Sequence, residues 1–355
     1  MKNIYLKIKE LAQKEGRLVL ATVISTRGST PQKSGSSALF SKTGLVSGTI
    51  GGGILEGKVQ RIAMESAITG DSAIFKFELD KDISYKEEAI CGGQATVLID
   101  TGLEKHLSVF AEIEGSLKRR IPCILLTLVK LNDKGLPLVD RFFFKESAFS
   151  KLPPEVHSQI RNEAVKILAS GLSGDFFSGI DFGKTGEKDS GFIMMESLFP
   201  PLQLIIAGAG HIGKSLSHIG KLLDFEVTVI DDRIEYANPH NIPDADHILA
   251  EDIGKSMSSL PKSPDTYIVI VTRGHNDDAA ALKPCIGSDA AYVGMIGSRT
   301  KIEKMHRNFV ENGWATEEQW SAIHAPVGIE INSKTVEEIA ISIAAELVKV
   351  RNQKK

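Results

Sequence analysis

The sequence has little of what marks a secreted or membrane-spanning protein. Its three cysteines among 355 residues are odd in number and widely spaced, which predicts neither a disulfide framework nor a CxxC zinc site. No apolar run approaches the roughly 18 residues that a membrane span needs. The first 16 residues contain lysines but lack the apolar stretch of a signal peptide. We therefore expect a cytoplasmic protein without a membrane partner.

An excess of charge of one sign is also missing. The 42 Lys and Arg residues nearly balance the 45 Asp and Glu residues, which gives a net charge of −3. A strongly basic surface of the kind that attracts nucleic acid is therefore not expected. The hydrophobic fraction of 42% is typical of a soluble globular protein. A chain of this length favours two domains.

A pair of prolines, Pro200 and Pro201, marks the predicted domain boundary. Proline cannot continue a helix or a central strand, so we assign residues 1–199 to an N-terminal α+β domain and 200–355 to a C-terminal domain. In the second part, short apolar runs alternate with helical stretches, which is typical of a parallel α/β sheet. The strands predicted for this Rossmann-like domain are 202–207, 226–231, 247–250, 267–272 and 291–296.

The N-terminal domain contains one order of elements twice. The pattern predicts two strands, a helix and two more strands within 18–100, and the same order again within 121–198. We therefore predict a domain built from two ββαββ repeats. Only the first repeat holds the glycine-rich loop and Cys91, so the second is expected to be mainly structural.

Residues 208–213, Gly-Ala-Gly-His-Ile-Gly, follow the first strand of the C-terminal domain and open a helix. In a dinucleotide fingerprint the first glycine, Gly208, permits the tight turn, and Gly210 allows a pyrophosphate to approach the backbone. Gly213 then lets the helix pack on the strand. We count these glycines and His211 as candidate cofactor-binding residues.

Asp231 ends the next strand, 23 residues after Gly208, where a dinucleotide-binding domain reads a ribose hydroxyl. The neighbouring Asp232 opposes binding of a 2′-phosphate, and Arg233 favours it. NAD(P) or another nucleotide is thus a candidate ligand. The alternative is a domain that keeps its glycines for packing and binds no dinucleotide.

Further polar residues follow the other predicted strands, where ligands bind in this fold. We expect these residues and His211 to form a pocket that holds an anion or a cofactor. In this pocket, His275 or His324 would carry a proton. A metal site formed by the three histidines and Asp277 is one alternative, and simple capping of helices and loops is another. These candidates are Arg273, His275, Arg299 and His324.

The N-terminal half has a second set of candidate residues. Three successive glycines precede the helix that carries Glu56, and such a turn can offer backbone N–H groups to an anion. Arg27 and Lys33 supply positive charge nearby in the sequence. The alternative is a tight turn with close backbone packing. The glycines are Gly51, Gly52 and Gly53.

Cys91 stands before Gly92 and Gly93 and is therefore accessible to a ligand. Its thiolate can ligate a soft metal or carry sulfur. The alternative is a cysteine that is simply buried, as most free cysteines are. Cys123 lies in an apolar strand and is expected to be buried, and Cys285 has no predicted role.

These motifs, in this order, resemble those of the XdhC/CoxI family, the accessory proteins of xanthine dehydrogenase and related molybdenum hydroxylases. The resemblance covers most of the chain. The matching segments are residues 21–31, 48–53 with Glu56, 91–93, 208–213, 231–233, 272–275, 294–299 and 324–326, the last followed by the helix that contains Glu337–Glu346.

The resemblance implies a protein that binds molybdenum cofactor, takes part in its sulfuration and helps to insert it into an apo-hydroxylase. It therefore implies a cofactor-binding chaperone more than a catalyst. The expected partners are a molybdenum hydroxylase such as xanthine dehydrogenase and a cysteine desulfurase. Arg27, Lys33 and the glycine turn fit the pterin phosphate, and Cys91 fits molybdenum.

Two departures from the family pattern stand out. Many relatives carry a cysteine directly after the three glycines, where this chain has Ile54. The usual arginine after Pro31 is Gln32 here, which leaves Lys33 as the nearest cation. If the missing cysteine holds the metal in those relatives, Cys91 takes that role here or the role is absent.

Two other hypotheses remain open. The intact fingerprint with His275 and His324 favours an NAD(P)-dependent oxidoreductase that uses the C-terminal domain. A structural adaptor would use both domains only as docking surfaces. A homodimer is the expected assembly, since two-fold dimers are the commonest soluble oligomers.

Overall fold

The computed structural model of this protein describes residues 4–6, 8–30, 32–78, 93–145, 154, 157–170, 175–181 and 190–353. The chain divides into two compact units, Met1–Pro200 and Pro201–Lys355. None of the helices in these described parts is long and apolar enough to cross a membrane.

The first unit contains nine strands and four α-helices among its described residues. A short 3₁₀ helix, Ile4–Leu6, comes first, and another, Leu103–His106, precedes the third α-helix. In chain order the elements are α1 Ile8–Glu15, β1 Val19–Gly28, β2 Ser37–Ser41, β3 Gly44–Gly48, α2 Gly53–Thr69, β4 Ala73–Glu78, β5 Gly93–Asp100, α3 Leu107–Lys118, β6 Cys123–Leu131, β7 Pro137–Phe143, α4 His157–Ser170, β8 Asp175–Asp181 and β9 Ser190–Leu198.

The strands of this unit form two antiparallel sheets with the same topology. The first sheet has the order β3-β2-β1-β5-β4, and the second has the order β7-β6-β9-β8. Apart from β3, each sheet is formed by a chain segment in which two strands are followed by a helix and two more strands. The first and last strands of each segment pair at the centre of the sheet. The predicted ββαββ order therefore occurs twice.

The two sheets pack face to face, with a helix on each outer face. Along β1, Val19, Ala21 and Val23 pack with α2, whereas Leu20 belongs to a core shared with the second sheet. Alternate residues of β6 pack in the same manner toward α4. The period of two along each strand thus produces a helix–sheet–sheet–helix arrangement.

Two elements of this unit were missed in the sequence. Strand β3 has only five residues and glycine at both ends, so it resembles a turn. Helix α3 is amphipathic, and its pattern could have been read from the sequence. Phe110, Ile113 and Leu117 are buried, and they are spaced by three and four residues.

A charged cluster is buried between the two sheets. Arg141 on β7 forms an ion pair with Asp100 at the end of β5, and both side chains are 1% exposed. Burial alone would lower the pKa of Arg141, but Asp100 raises it above its usual value. Nearby, the Tyr5 hydroxyl donates to Glu196 Oε1 at 2.7 Å. The Arg141–Asp100 pair thus joins the two sheets, and the Tyr5–Glu196 bond attaches the first 3₁₀ helix to the second sheet.

The second unit is a doubly wound α/β domain, which confirms the predicted Rossmann-like class. Its five strands are all parallel, in the order β12-β11-β10-β13-β14. The elements are β10 Gln203–Ala207, α5 His211–Leu222, β11 Glu226–Ile230, β12 His247–Leu249, α6 Ile253–Ser259, β13 Thr266–Ile270, α7 His275–Leu282, β14 Tyr292–Met295, α8 Arg299–Glu311, α9 Glu317–Ser321 and α10 Val336–Gln353.

Each face of this sheet has its own hydrophobic core. On one face, alternate residues such as Leu204 and Ile206 pack against α5 and α10. On the other face, Ile205 and Ala207 pack toward α6, α7 and α8. Because β10 and β13 are parallel neighbours, their carboxyl ends, which precede α5 and α7, lie side by side at one end of the sheet. Ligands bind at this end in this fold.

The buried ion pair leads to a stability prediction for the first unit. Replacing Arg141 by Met should destabilise the protein by about 3–5 kcal/mol, because it leaves the Asp100 carboxylate buried without its cation. Urea unfolding of the full chain measures this loss. Lys145→Ala, which removes an exposed ion pair with Glu112, should cost under about 1 kcal/mol. Equal losses in the two variants would contradict the assignment.

Candidate functional site

The glycine loop after β10 has two glycines that the fold requires and one that it does not. A Cβ on Gly208 would lie 2.4 Å from the carbonyl oxygen of Val271, and one on Gly213 would lie 1.9 Å from that of Gly208. A Cβ on Gly210 would have no neighbour within 4 Å among the described residues, and its φ of −69° suits any residue. Open space therefore lies over the middle glycine.

Asp231 follows β11 and faces this loop, but its carboxylate is already occupied. Oδ2 accepts from the Ala209 N–H and from Arg233 Nη2, both at 2.8 Å. Oδ1 accepts from Arg233 Nε at 2.8 Å and from the Arg233 N–H at 3.1 Å. Burial alone would raise the pKa of Asp231, but these hydrogen bonds lower it below its usual value. Asp231 thus ties the glycine loop to Arg233.

The end of β13 carries a second group of charged side chains. Arg273 is exposed and lies 3.2 Å from Asp232 and 3.5 Å from Asp277. Next to it, Thr272 Oγ1 donates to the fully buried Asp278 at 2.5 Å, and Lys301 forms an ion pair with the same carboxylate. These contacts tie the start of α7 to α8.

His324 belongs to a compact polar cluster against α10. Its Nδ1 lies 2.9 Å from Glu346 Oε1, and its ring centroid lies 4.4 Å from that of Tyr292. Glu346 Oε2 accepts from the Tyr292 hydroxyl at 2.6 Å and from the Gly328 N–H at 2.7 Å. Although burial opposes ionisation of Glu346, these donors lower its pKa to about 2. The cluster holds the His324 loop on the helix.

The other predicted residues of this unit lie at helix starts. His211, His275 and Arg299 are the first residues of α5, α7 and α8, and His211 and Arg299 are exposed. The described residues include all four members of the predicted His/Asp metal site. Within the described parts of the chain, no group of three His, Cys, Asp or Glu side chains is arranged to hold a metal ion.

The glycine turn of the first unit is anchored by Glu56. Its Oε2 accepts from Thr49 Oγ1 at 2.6 Å and from the N–H groups of Ile50 and Gly52 at 3.1 and 3.3 Å. The hydrogen bond from Thr49 lowers the pKa of Glu56, and the backbone donors add to this effect. These amides therefore serve Glu56 in this conformation instead of an external anion.

The turn itself leaves space beside it. Gly51, Gly52 and Gly53 have φ values of 127°, 71° and 59°, and a Cβ on either of the last two would meet no described atom within 4 Å. These positive φ values favour glycine, since other residues are strained there.

The topology brings the N-terminal candidates to one end of the first sheet. Arg27 lies near the end of β1, Lys33 lies in the loop to β2, and both side chains are exposed. The glycine turn follows β3, which pairs with β2. Gly93, two residues after Cys91, pairs with Gly28. Cys91 itself lies outside the described residues.

The other two cysteines are poor candidates for a thiolate. Cys123 is buried as predicted, and burial raises the pKa of its thiol to about 11. Burial raises the pKa of the Cys285 thiol to about 12. Both thiols stay protonated near neutral pH, whereas a soft-metal ligand is the thiolate.

Sequence reasoning missed three polar residues of the C-terminal unit. Glu346 had a readable signal, because it shares the α10 face of Ile343 and Leu347, where a carboxylate needs partners. Asp278 and Tyr292 had none, since their partners Lys301 and Glu346 are distant in sequence.

The low pKa of Glu346 predicts a pH-dependent contribution to stability. Glu346→Gln should cost about 2–3 kcal/mol at pH 7, because the ionised carboxylate is favoured in the folded state. A group with a lowered folded pKa loses its contribution as pH falls, here between about pH 4.5 and about pH 2. The wild type and the variant should therefore converge in acid.

Denaturant unfolding at pH 7 and pH 3 measures this convergence. Glu337→Gln, an exposed position on the same helix, is the matched control and should show almost no loss at either pH. A Glu346→Gln loss that stays constant with pH would contradict the assigned pKa.

Two family models match this chain in the order of its units. The model described as the XdhC and CoxI family matches residues 11–78, and that of the XdhC Rossmann domain matches residues 204–347. Together they cover more than half of the chain.

Curated relatives include a full-length match and two partial matches. A probable xanthine dehydrogenase subunit from Bacillus subtilis is 22% identical over 355 residues, 99% of each chain. YqeB of Escherichia coli is 36% identical over 168 residues, 47% of this chain and 30% of YqeB. The molybdenum cofactor insertion chaperone PaoD of Escherichia coli is 30% identical over 104 residues, 28% of this chain and 31% of PaoD.

A solved structure has the same fold. It is described as a xanthine dehydrogenase from Bacillus halodurans and is 22% identical, with a TM-score of 0.73. The similarity covers 99% of this chain and 96% of that one. With both family models matched in order, this chain belongs to the XdhC and CoxI family.

Proposed function

We propose that this protein is an accessory factor that binds molybdenum cofactor and assists its insertion into a xanthine dehydrogenase-type hydroxylase. The match of both family models carries the proposal. The names of two relatives, a molybdenum cofactor insertion chaperone and a probable xanthine dehydrogenase subunit, support it.

The cofactor, which is the cargo of such a factor, would bind at the end of the first sheet. Its pterin carries a phosphate, which needs cations. Arg27 and Lys33 fit this need, because both are exposed and neither has an ion-pair partner among the described residues. The open space beside Gly52 and Gly53 would admit the ligand. Since nearby amides serve Glu56, the side-chain cations would carry most of the charge recognition.

The molybdenum end of the cofactor needs a soft ligand. With Cys123 and Cys285 buried and protonated, Cys91 is the proposed ligand. The same thiolate would serve sulfuration, because a thiolate can accept sulfane sulfur from the persulfide of a cysteine desulfurase. The desulfurase is therefore proposed as a second partner, beside the hydroxylase.

A site of this kind suits a carrier. Exposed cations bind a phosphate with modest strength, because water and salt screen them. Release to a hydroxylase that buries the cofactor would then need no large rearrangement of the chaperone.

The proposed role of Cys91 is testable by co-purification. The full chain is expressed in cells that make molybdenum cofactor and isolated anaerobically, and molybdenum and oxidised pterin are quantified. We expect near-stoichiometric retention in the wild type and at least a tenfold loss in Cys91→Ala. Cys285→Ala, the buried-cysteine control, should retain the cofactor. Equal retention in wild type and Cys91→Ala would remove Cys91 from the site.

The cations are tested in the same preparation. The double variant Arg27→Ala/Lys33→Ala should lose pterin as well as molybdenum, because the phosphate loses its counter-charges. Arg61→Ala, which removes an exposed arginine from α2, is the matched control and should retain both. Pterin retention by the double variant would place the phosphate elsewhere.

A further inference from the structure

The Asp231 carboxylate, at the position that reads a ribose in dinucleotide-binding domains, has no acceptor capacity left. A carboxylate offers about four lone-pair sites. Two N–H groups of the Arg233 side chain and the backbone N–H groups of Ala209 and Arg233 use all four. The side chain is 2% exposed. A ribose with free 2′- and 3′-hydroxyls would therefore have to break this network.

Breaking the network is unfavourable for a neutral diol. The bidentate Arg–carboxylate pair consists of two charge-assisted hydrogen bonds, which are about twice as strong as neutral ones. Hydroxyl donors would replace them with weaker bonds and leave Arg233 without its counter-ion. The same carboxylate also holds the Ala209 N–H of the glycine loop.

Arg233 has donors to spare. Its guanidinium carries five N–H groups, and Asp231 engages two of them. The guanidinium carbon lies 3.9 Å from the centroid of Tyr236, which fixes its plane. The side chain is 21% exposed. Three N–H donors thus remain without a hydrogen-bond partner among the described residues, on a guanidinium held rigidly beside the loop.

The Asp232 carboxylate beside Arg233 is paired with a second arginine. It lies 4.0 Å from Arg233 Nε and 3.2 Å from Arg273 Nη2. Arg273 Nε also lies 3.5 Å from Asp277. Arg273 therefore offsets part of the negative charge next to the Arg233 guanidinium.

We propose that the open space over Gly210 takes nucleotides that carry a phosphomonoester on the ribose and discriminates against those with a free vicinal diol. Arg233 binds the phosphate through the three N–H groups that Asp231 does not engage. Asp231 orients Arg233 and does not contact the ligand. This inference is independent of molybdenum cofactor binding by the first unit.

The test compares NADP⁺ with NAD⁺, which differ only in the 2′-phosphate, by calorimetry on the full chain. We expect NADP⁺ to bind at least tenfold more tightly than NAD⁺. Arg233→Ala should reduce this preference to threefold or less, because it removes the phosphate ligand and frees Asp231 for the diol. Arg307→Ala, which removes an exposed arginine of α8, should leave the preference unchanged.

Arg233→Lys is the control for a folding defect in the alanine variant. Lysine keeps the charge but cannot form the bidentate pair, so an intermediate preference is expected from a protein with wild-type circular dichroism. NAD⁺ binding as tight as NADP⁺ binding, or neither nucleotide binding at millimolar concentration, would overturn the proposal. An unchanged preference in both Arg233 variants would also overturn it.

Discussion

Carboxylates that accept hydrogen bonds from loop amides fix three of the candidate loops of this protein. Glu56 holds the Thr49–Gly52 turn, Asp231 holds the Ala209 amide, and Glu346 holds Gly328. In each case the donors lower the pKa of the carboxylate below its usual value. The negative charges at these loops are thus engaged by hydrogen-bond donors of the protein itself.

This arrangement explains how much of the site could be predicted from the sequence. The pattern predicted Glu56 and Asp231 as candidate binding residues, because each carboxylate lies next to a glycine turn. Whether such a carboxylate faces a ligand or its own loop depends on a hydrogen-bond donor two to seven residues away in the sequence. Arg233 decides this for Asp231, and Thr49 decides it for Glu56.

The fold was easier to predict than the site, for a physical reason. A strand covered on both faces is apolar over most of its length. This holds for β13, which lies between two helical layers, and for β1 and β6, each of which lies between a helix and the other sheet. These signals are local and survive in a single sequence. The face-to-face packing of the two N-terminal sheets was not predicted, because the Arg141–Asp100 pair joins residues 41 positions apart. Its two partners are unremarkable in isolation.

The two sheets of the first unit share a topology but differ in their candidate binding residues. Both sheets have the same central pairing, but only the first has the extra strand β3, and the glycine turn follows directly from it. Strand β3 runs toward the end of the sheet where β1 ends and β5 begins, and its last residue, Gly48, is level with Ala21 of β1. The second sheet, as far as its described residues go, lacks such a strand, so no equivalent turn meets its strand ends. One added strand is thus enough to give one repeat a candidate binding site and to leave the other as its packing support.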